Sequence, residues 1–159
     1  MAFIQNCAAS DISSGKWYKD PGENSMLISI TDPAGWSPEA VTNFKERHNF
    51  EFLDIEKDDI VFDEECRVSD VQAAELVRLL QHALINDMNV IVHCTAGICR
   101  SGAVTEVGVQ MGFDDIGRFR QPNLLVKHKM SKVLGWTYDE DEVSEPVNLS
   151  AKFDWEGDI

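Results

Sequence analysis

Residues 89–102 read Asn-Val-Ile-Val-His-Cys-Thr-Ala-Gly-Ile-Cys-Arg-Ser-Gly, and the fold turns on them. Asn89 to His93 is a short β-branched run, the composition of a central parallel strand buried on both faces. After Arg100 the chain continues SGAVTEVGVQMG, which suits a helix. A short loop from a buried strand into a helix collects backbone N–H groups around a concavity and aims the helix N-terminus at it. Such a nest binds a tetrahedral dianion. Gly97 allows the tight backbone curvature without a Cβ clash. Arg100, with five residues between it and Cys94, returns across the loop and grips two oxygens with its planar fork.

The same positive field acts on the Cys94 thiol. A free cysteine with pKa near 8.5 is only ~3% thiolate at pH 7. Helix N-termini and nearby cations lower that pKa by roughly 1–5 units. A drop of about three units is worth ~4 kcal/mol and makes the thiolate dominant at neutral pH. A thiolate so placed attacks phosphorus in line while Arg100 and the loop amides hold the equatorial oxygens. Ser101 is expected to donate its hydroxyl to the sulfur, and His93 to fix the strand end through a ring N–H bond.

Outward from the loop, strands and helices alternate. Met26 to Ile30 (MLISI) is an apolar run expected to be a buried strand. TDPAGWSP follows, dense in turn formers. Ser37 and Pro38 supply an N-cap and a first-turn proline, so a helix is expected from about Pro38 to His48 with Val41 and Phe44 inward. Phe50 to Ile55 alternates roughly and reads as a second strand, with Asp54 inside it. Ser69 and Gln72 make a capping box for the next helix. Val71, Ala74, Val77, Leu80 and Leu84 recur at helical spacing as far as about Ala83–Leu84. A further helix is expected from Asn123 to about Leu134. The order argues for an α/β fold with a central, mostly parallel sheet flanked by helices.

The 159 residues make one domain, expected over 1–137. The segment 138–159 reads as an acidic tail or edge, since from Asp139 onward it holds eight acids and only Lys152 as a base. Overall, 28 acidic against 14 basic residues give a net charge of −14. That sign disfavours general nucleic-acid binding. No stretch approaches the ~18–20 apolar residues of a membrane span. MAFIQNCAAS lacks the basic and long apolar regions of a secretory signal, so a cytoplasmic protein is expected. Cys7, Cys66, Cys94 and Cys99 form no CxxC pair, which leaves zinc little support and favours free thiols. His48, His82 and His128 have no metal-ligand spacing, and Trp17, Trp36, Trp136 and Trp155 read as packing residues. Arg118, Arg120, Lys127, Lys129 and Lys132 form a locally basic stretch, read either as a lure for phosphorylated substrates or as an ordinary helix surface.

At HCTAGICRS (residues 93–101) the chain resembles the cysteine-dependent phosphatase superfamily, marked by His-Cys, five variable residues, then Arg and Ser or Thr. With the family's common glycine at Gly97, five fixed residues at roughly 5% frequency each arise by chance in such a chain with probability on the order of 10⁻⁵ to 10⁻⁴. The position of the loop, after a strand and a long helix, resembles the dual-specificity and tyrosine phosphatases, and implies a tyrosine/dual-specificity phosphatase-like fold. The resemblance implies Cys94 as nucleophile and Arg100 with the backbone of Thr95, Ala96, Gly97, Ile98 and Cys99 as the phosphate cradle. Arg118 to Asn123 looks like the stretch that buttresses the loop in dual-specificity phosphatases, with Asn123 supporting. Cys99 stands where low-molecular-weight tyrosine phosphatases carry a second cysteine, a mixture of two patterns. It invites a redox reading in which oxidised Cys94 is trapped as a Cys94–Cys99 disulfide.

The resemblance also implies a carboxylic acid some 30–40 residues before the cysteine. Asp58, Asp59 and Asp63 stand 36, 35 and 31 residues before Cys94. Asp59 is favoured because Asp-Ile after a strand resembles several relatives, with Asp58 and Asp63 as alternatives. Clustered carboxylates raise one another's pKa and keep a donor protonated. No metal and no cofactor are required. The expected partner is a phosphorylated protein, on tyrosine and with serine or threonine left open. Other readings are a phosphoinositide or RNA 5′-phosphate substrate, a phospho-binding module of low turnover and, more distantly, a rhodanese-like or arsenate enzyme. The oligomeric state is open.

Overall fold

The computed structural model describes residues 1–33, 35, 43–56, 67–116 and 118–136. In chain order the elements are β1 (Phe3–Ala8), α1 (Ala9–Ser14), β2 (Ser25–Thr31), β3 (Glu46–Glu51), α2 (Asp70–Ile85), β4 (Asn89–Cys94), α3 (Arg100–Met111), β5 (Asp114–Asp115) and α4 (Leu124–Val133). They build one five-stranded sheet in the order β3-β2-β4-β1-β5. Every strand pairing in it is parallel, and the β-branched strand β4 lies at its centre.

Alternation along the strands divides the core in two. Val90, Val92 and Cys94 of β4, with Met26, Ile28 and Ile30 of β2, pack under α2, α3 and α4. Ile91 and Leu27 turn to the other face and meet Phe3, Cys7, Ile12 and Phe44. Trp17 meets Phe44 edge-on there, and Trp136 packs against the larger cluster. Parallel strands bring all their C-terminal ends to one edge of the sheet, where α/β proteins take their ligands. Ala8, Thr31, Glu51 and Cys94 end there together.

Several expectations need correction. The segment 46–48 belongs to strand β3 rather than to a helix reaching His48, and residues 36–42, with Val41, lie outside the described residues. β3 ends at Glu51, so Phe52 to Ile55 is loop and Asp54 is not within the sheet. The reason is position: β3 is an edge strand, and its polar residues (ERHNFE) hide the strand signal while the apolar pair Phe50 and Phe52 draws the eye downstream. In α2 the capping box forms as the pattern demands, Gln72 N–H donating to Ser69 Oγ and Ser69 N–H to Gln72 Oε1. Its buried face, however, is Ala73, Leu76, Val77, Leu79, Leu80 and Ala83, while Ala74 is exposed and Val71 is 79% exposed. Val71 stands nine residues before Leu80, about two and a half turns, which puts it on the opposite side of the helix from the buried stripe.

The strand that sequence reading passed over is β1. Its apolar run is broken by Gln5 and Asn6, both buried. Each is buried because it is hydrogen-bonded: Gln5 spans to the Tyr18–Lys19 backbone, and Asn6 reaches the loop after β4. The expected acidic tail beyond residue 137 lies outside the described residues.

Candidate active site

The loop between β4 and α3 is shaped by where its carbonyls go. Thr95 O accepts from Ala9 N–H at 3.2 Å, and Ile98 O from Gln121 N–H at 3.1 Å. Gly97 O accepts from the Asn6 side chain at 2.6 Å, and Cys99 O from both Ala103 N–H and Asn123 N–H at 2.9 Å. These bonds all pull outward or along the helix. A trans peptide points its N–H opposite to its C=O. The amides of Ala96, Ile98, Cys99 and Arg100 therefore face the concavity, at the N-terminus of α3 where the helix dipole is positive. Gly97 makes this possible, with φ at 75° and a Cβ position that would fall on the Cys7 carbonyl and Ala8 amide.

Cys94 ends its strand buried beneath this loop. Its sulfur lies 3.2 Å from Ser101 Oγ and accepts from Ser101 N–H at 3.5 Å. Arg100, only 6% exposed, folds across: its Nη1 donates to Asp32 Oδ1 and to Phe52 O, each at 2.8 Å, and its Nη2 reaches Thr95 Oγ1 at 3.4 Å. A buried guanidinium demands such partners.

His93 departs from expectation. The ring is buried, and neither nitrogen has a well-aligned hydrogen-bond partner among the described residues. Burial holds its pKa down, at about 4, the Cys94 backbone opposing and the Arg100 charge assisting. Asn123 joins three parts of the site. It caps α4 by accepting from Val126 N–H, bonds Cys99 O through its backbone, and donates from Nδ2 to Asp54 Oδ1 at 2.6 Å.

Cys99 lines a cavity together with Asp54. Burial first, then the Asp54 charge and a hydrogen bond to it, push the Cys99 thiol up, which disfavours the thiolate that a resolving cysteine needs. Cys7, Cys94 and Cys99 are free thiols, and Cys66 lies outside the described residues. A cavity of about 670 Å³ opens beside Cys99, between Asp54, Ile55 and Glu56 on one side and Gln121, Pro122 and Leu124 on the other. The basic stretch is largely consumed: Arg120 pairs with Glu106 and Asp115, Lys129 bonds Val68 O, and Arg118 lies against Cys7, Asp11 and the Tyr18 ring.

Asp58, Asp59 and Asp63 lie outside the described residues. Sequence reasoning missed Asp32, Asn6 and the loop position of Asp54. Only the turn formers after Thr31 hinted at Asp32, and nothing local hinted at Asn6. No helix among the described residues is long and apolar enough to cross a membrane.

No protein-family model matches the chain, and no curated protein matches it in sequence. Solved structures do match in shape. The human tyrosine phosphatase-like serine/threonine/tyrosine-interacting protein is similar at a TM-score of 0.56 and 15% identity, over 83% of this chain and 91% of that one. Human DUSP28 is similar at a TM-score of 0.55 and 11% identity, over 82% of this chain and 90% of that one. The chain therefore has the tyrosine phosphatase-like fold, with its Cys94–Arg100 loop at the C-terminal edge of the sheet.

Proposed function

We propose that this protein hydrolyses phosphate monoesters through a phosphocysteine intermediate. The observation that carries the reading is the loop whose outward-tied carbonyls leave four amides and Arg100 around one buried sulfur. Cys94 sulfur attacks phosphorus and forms an S–P bond as the P–O bond to the leaving group breaks. The amides and the guanidinium stabilise the charge on the equatorial oxygens. Asp59 protonates the departing oxygen, with Asp58 and Asp63 as alternatives. The same carboxylate then takes a proton from water, which attacks phosphorus and breaks the S–P bond, releasing inorganic phosphate. Ser101, at 3.2 Å from the sulfur, stabilises it as it leaves. The substrate is a phosphorylated protein, on tyrosine and also on serine or threonine if the pocket is shallow. The protein acts in the cytoplasm.

The test is hydrolysis of an aryl phosphate by wild type, Cys94→Ser, Asp58→Ala, Asp59→Ala and Asp63→Ala. Cys94→Ser is expected to lower kcat by at least about a thousand-fold, the scale of nucleophile loss. Asp59→Ala is expected to lower it roughly 10²–10⁴-fold. Undiminished turnover by Cys94→Ser sinks the phosphocysteine. Loss confined to Asp58→Ala or Asp63→Ala moves the acid to that residue. Oxyanion binding without hydrolysis in wild type supports a binding module instead.

A further inference from the structure

The position of Arg100 raises a question that the catalytic reading leaves open: what sets the orientation of its fork. Arg100 has five N–H groups in one plane. The two on Nη1 are taken by Asp32 Oδ1 and Phe52 O, each at 2.8 Å. Nη2 makes a longer contact to Thr95 Oγ1, and Nε meets no acceptor among the described residues. The guanidinium is thus tied by one end to the loops after β2 and β3, and its Nε–Nη2 edge is left over. That edge presents two parallel donors, a geometry a phosphate takes in bidentate fashion.

Phe52 O is main chain and fixed by the fold: Phe52 N–H donates to Thr31 O at 3.0 Å, extending the β2–β3 ladder by one bond. Asp32 is the side-chain half of the clamp. It follows Thr31 directly, where β2 ends beside β4. A tight turn holds it: Pro33 restricts the backbone, and Gly35 N–H donates to Asp32 O at 2.7 Å. A Cβ on Gly35 would fall on that same carbonyl oxygen, so the turn needs glycine. The carboxylate side chain is 57% exposed against 7% for Arg100, so it stands at the mouth of the site with the guanidinium behind it.

We infer that Asp32 is a positioning residue for oxyanion binding: it holds the Nη1 end of Arg100 so that the Nε–Nη2 edge faces the loop amides. The inference rests on the proposed phosphate chemistry of the same loop. Asp32 touches neither phosphorus nor the leaving group in this arrangement and acts only through Arg100. Its negative charge, so near the anion, also opposes binding. The orientation it imposes and the repulsion it exerts pull in opposite directions, and a single charge-removing variant mixes the two.

Comparison of Asp32→Asn with Asp32→Ala separates them. Both remove the same charge, and only asparagine keeps an oxygen that accepts from Nη1. Binding of inorganic phosphate is measured by calorimetry on wild type and both variants, with aryl phosphate kinetics and thermal unfolding alongside. The expected result is that Asp32→Asn binds phosphate at least about ten-fold more tightly than Asp32→Ala, the scale of one hydrogen bond to a charged group. The same factor should appear in kcat/KM, with equal unfolding midpoints. Equal phosphate affinity in the two variants, with wild type binding phosphate, overturns the positioning role alone. Failure of wild type to bind phosphate overturns the phosphate chemistry of the loop, and the positioning role with it.

Discussion

His93 illustrates how a single side chain ties stability to pH. The ring is buried, neither nitrogen has a well-aligned partner among the described residues, and burial holds its pKa at about 4 against 6.5 in a free histidine. The unfolded chain therefore binds more protons than the folded one between those two values. Stability from this residue is complete above about pH 6.5 and falls as pH is lowered toward 4, by up to ~3 kcal/mol. Urea unfolding at pH 7, 5.5 and 4.5 should show a smaller loss in His93→Gln than in wild type; identical slopes would refute the assignment. At this scale the sequence was informative where partners are neighbours. Cys94, Ser101 and Arg100 lie within eight residues, and their pattern could be read as written. Asp32 meets Arg100 across 68 positions and Asn6 meets Gly97 across 91, and no local pattern encodes such encounters. Asp32 looked like a turn residue because it is one, and the ion pair is a second use of it.

Among the elements, α2 shows which parts of a helix are written locally. Its start is fixed by the Ser69–Gln72 capping box, two reciprocal bonds from residues three apart. Ser69→Ala should cost ~1 kcal/mol in chemical denaturation. Val71→Ala, at a site 79% exposed, should stay within about 0.5 kcal/mol. Equal costs would mean that the exposed residue carries structure after all. The facing of the helix was less legible than its start, since α2 packs against the sheet and α4 together and only tertiary contact selects among adjacent stripes. Strand β4 was legible because it is buried on both sides and uniformly apolar. Edge strand β3 was not, because charge and histidine on an edge blunt unwanted pairing while erasing the alternation that betrays a strand.

For the molecule as a whole, charge and topology act at different ranges. On the proposed phosphatase chemistry, the net charge of −14 would repel a dianionic substrate from a distance, and the cradle would attract it only at close range. Raising ionic strength from 0.01 to 0.15 M shortens the screening length from about 30 to about 8 Å. The kcat/KM for an aryl phosphate should rise across that range, in initial rates at subsaturating substrate. A fall would show that the local positive field governs approach. Topology explains why the α/β class was readable from alternating elements, whereas the strand order was not. β1 joins the sheet between β4 and β5 by parallel backbone pairing, while its buried Gln5 and Asn6 bond to loops outside the sheet. Phe3 N–H bonds Asn89 Oδ1 across 86 positions, and β1 backs directly onto Gly97. During synthesis, β1 therefore leaves the ribosome long before the strand it must pair with exists. The loop's carbonyls are tied to Asn6, Ala9, Gln121 and Asn123, so the cradle closes only once the chain past Asn123 has emerged.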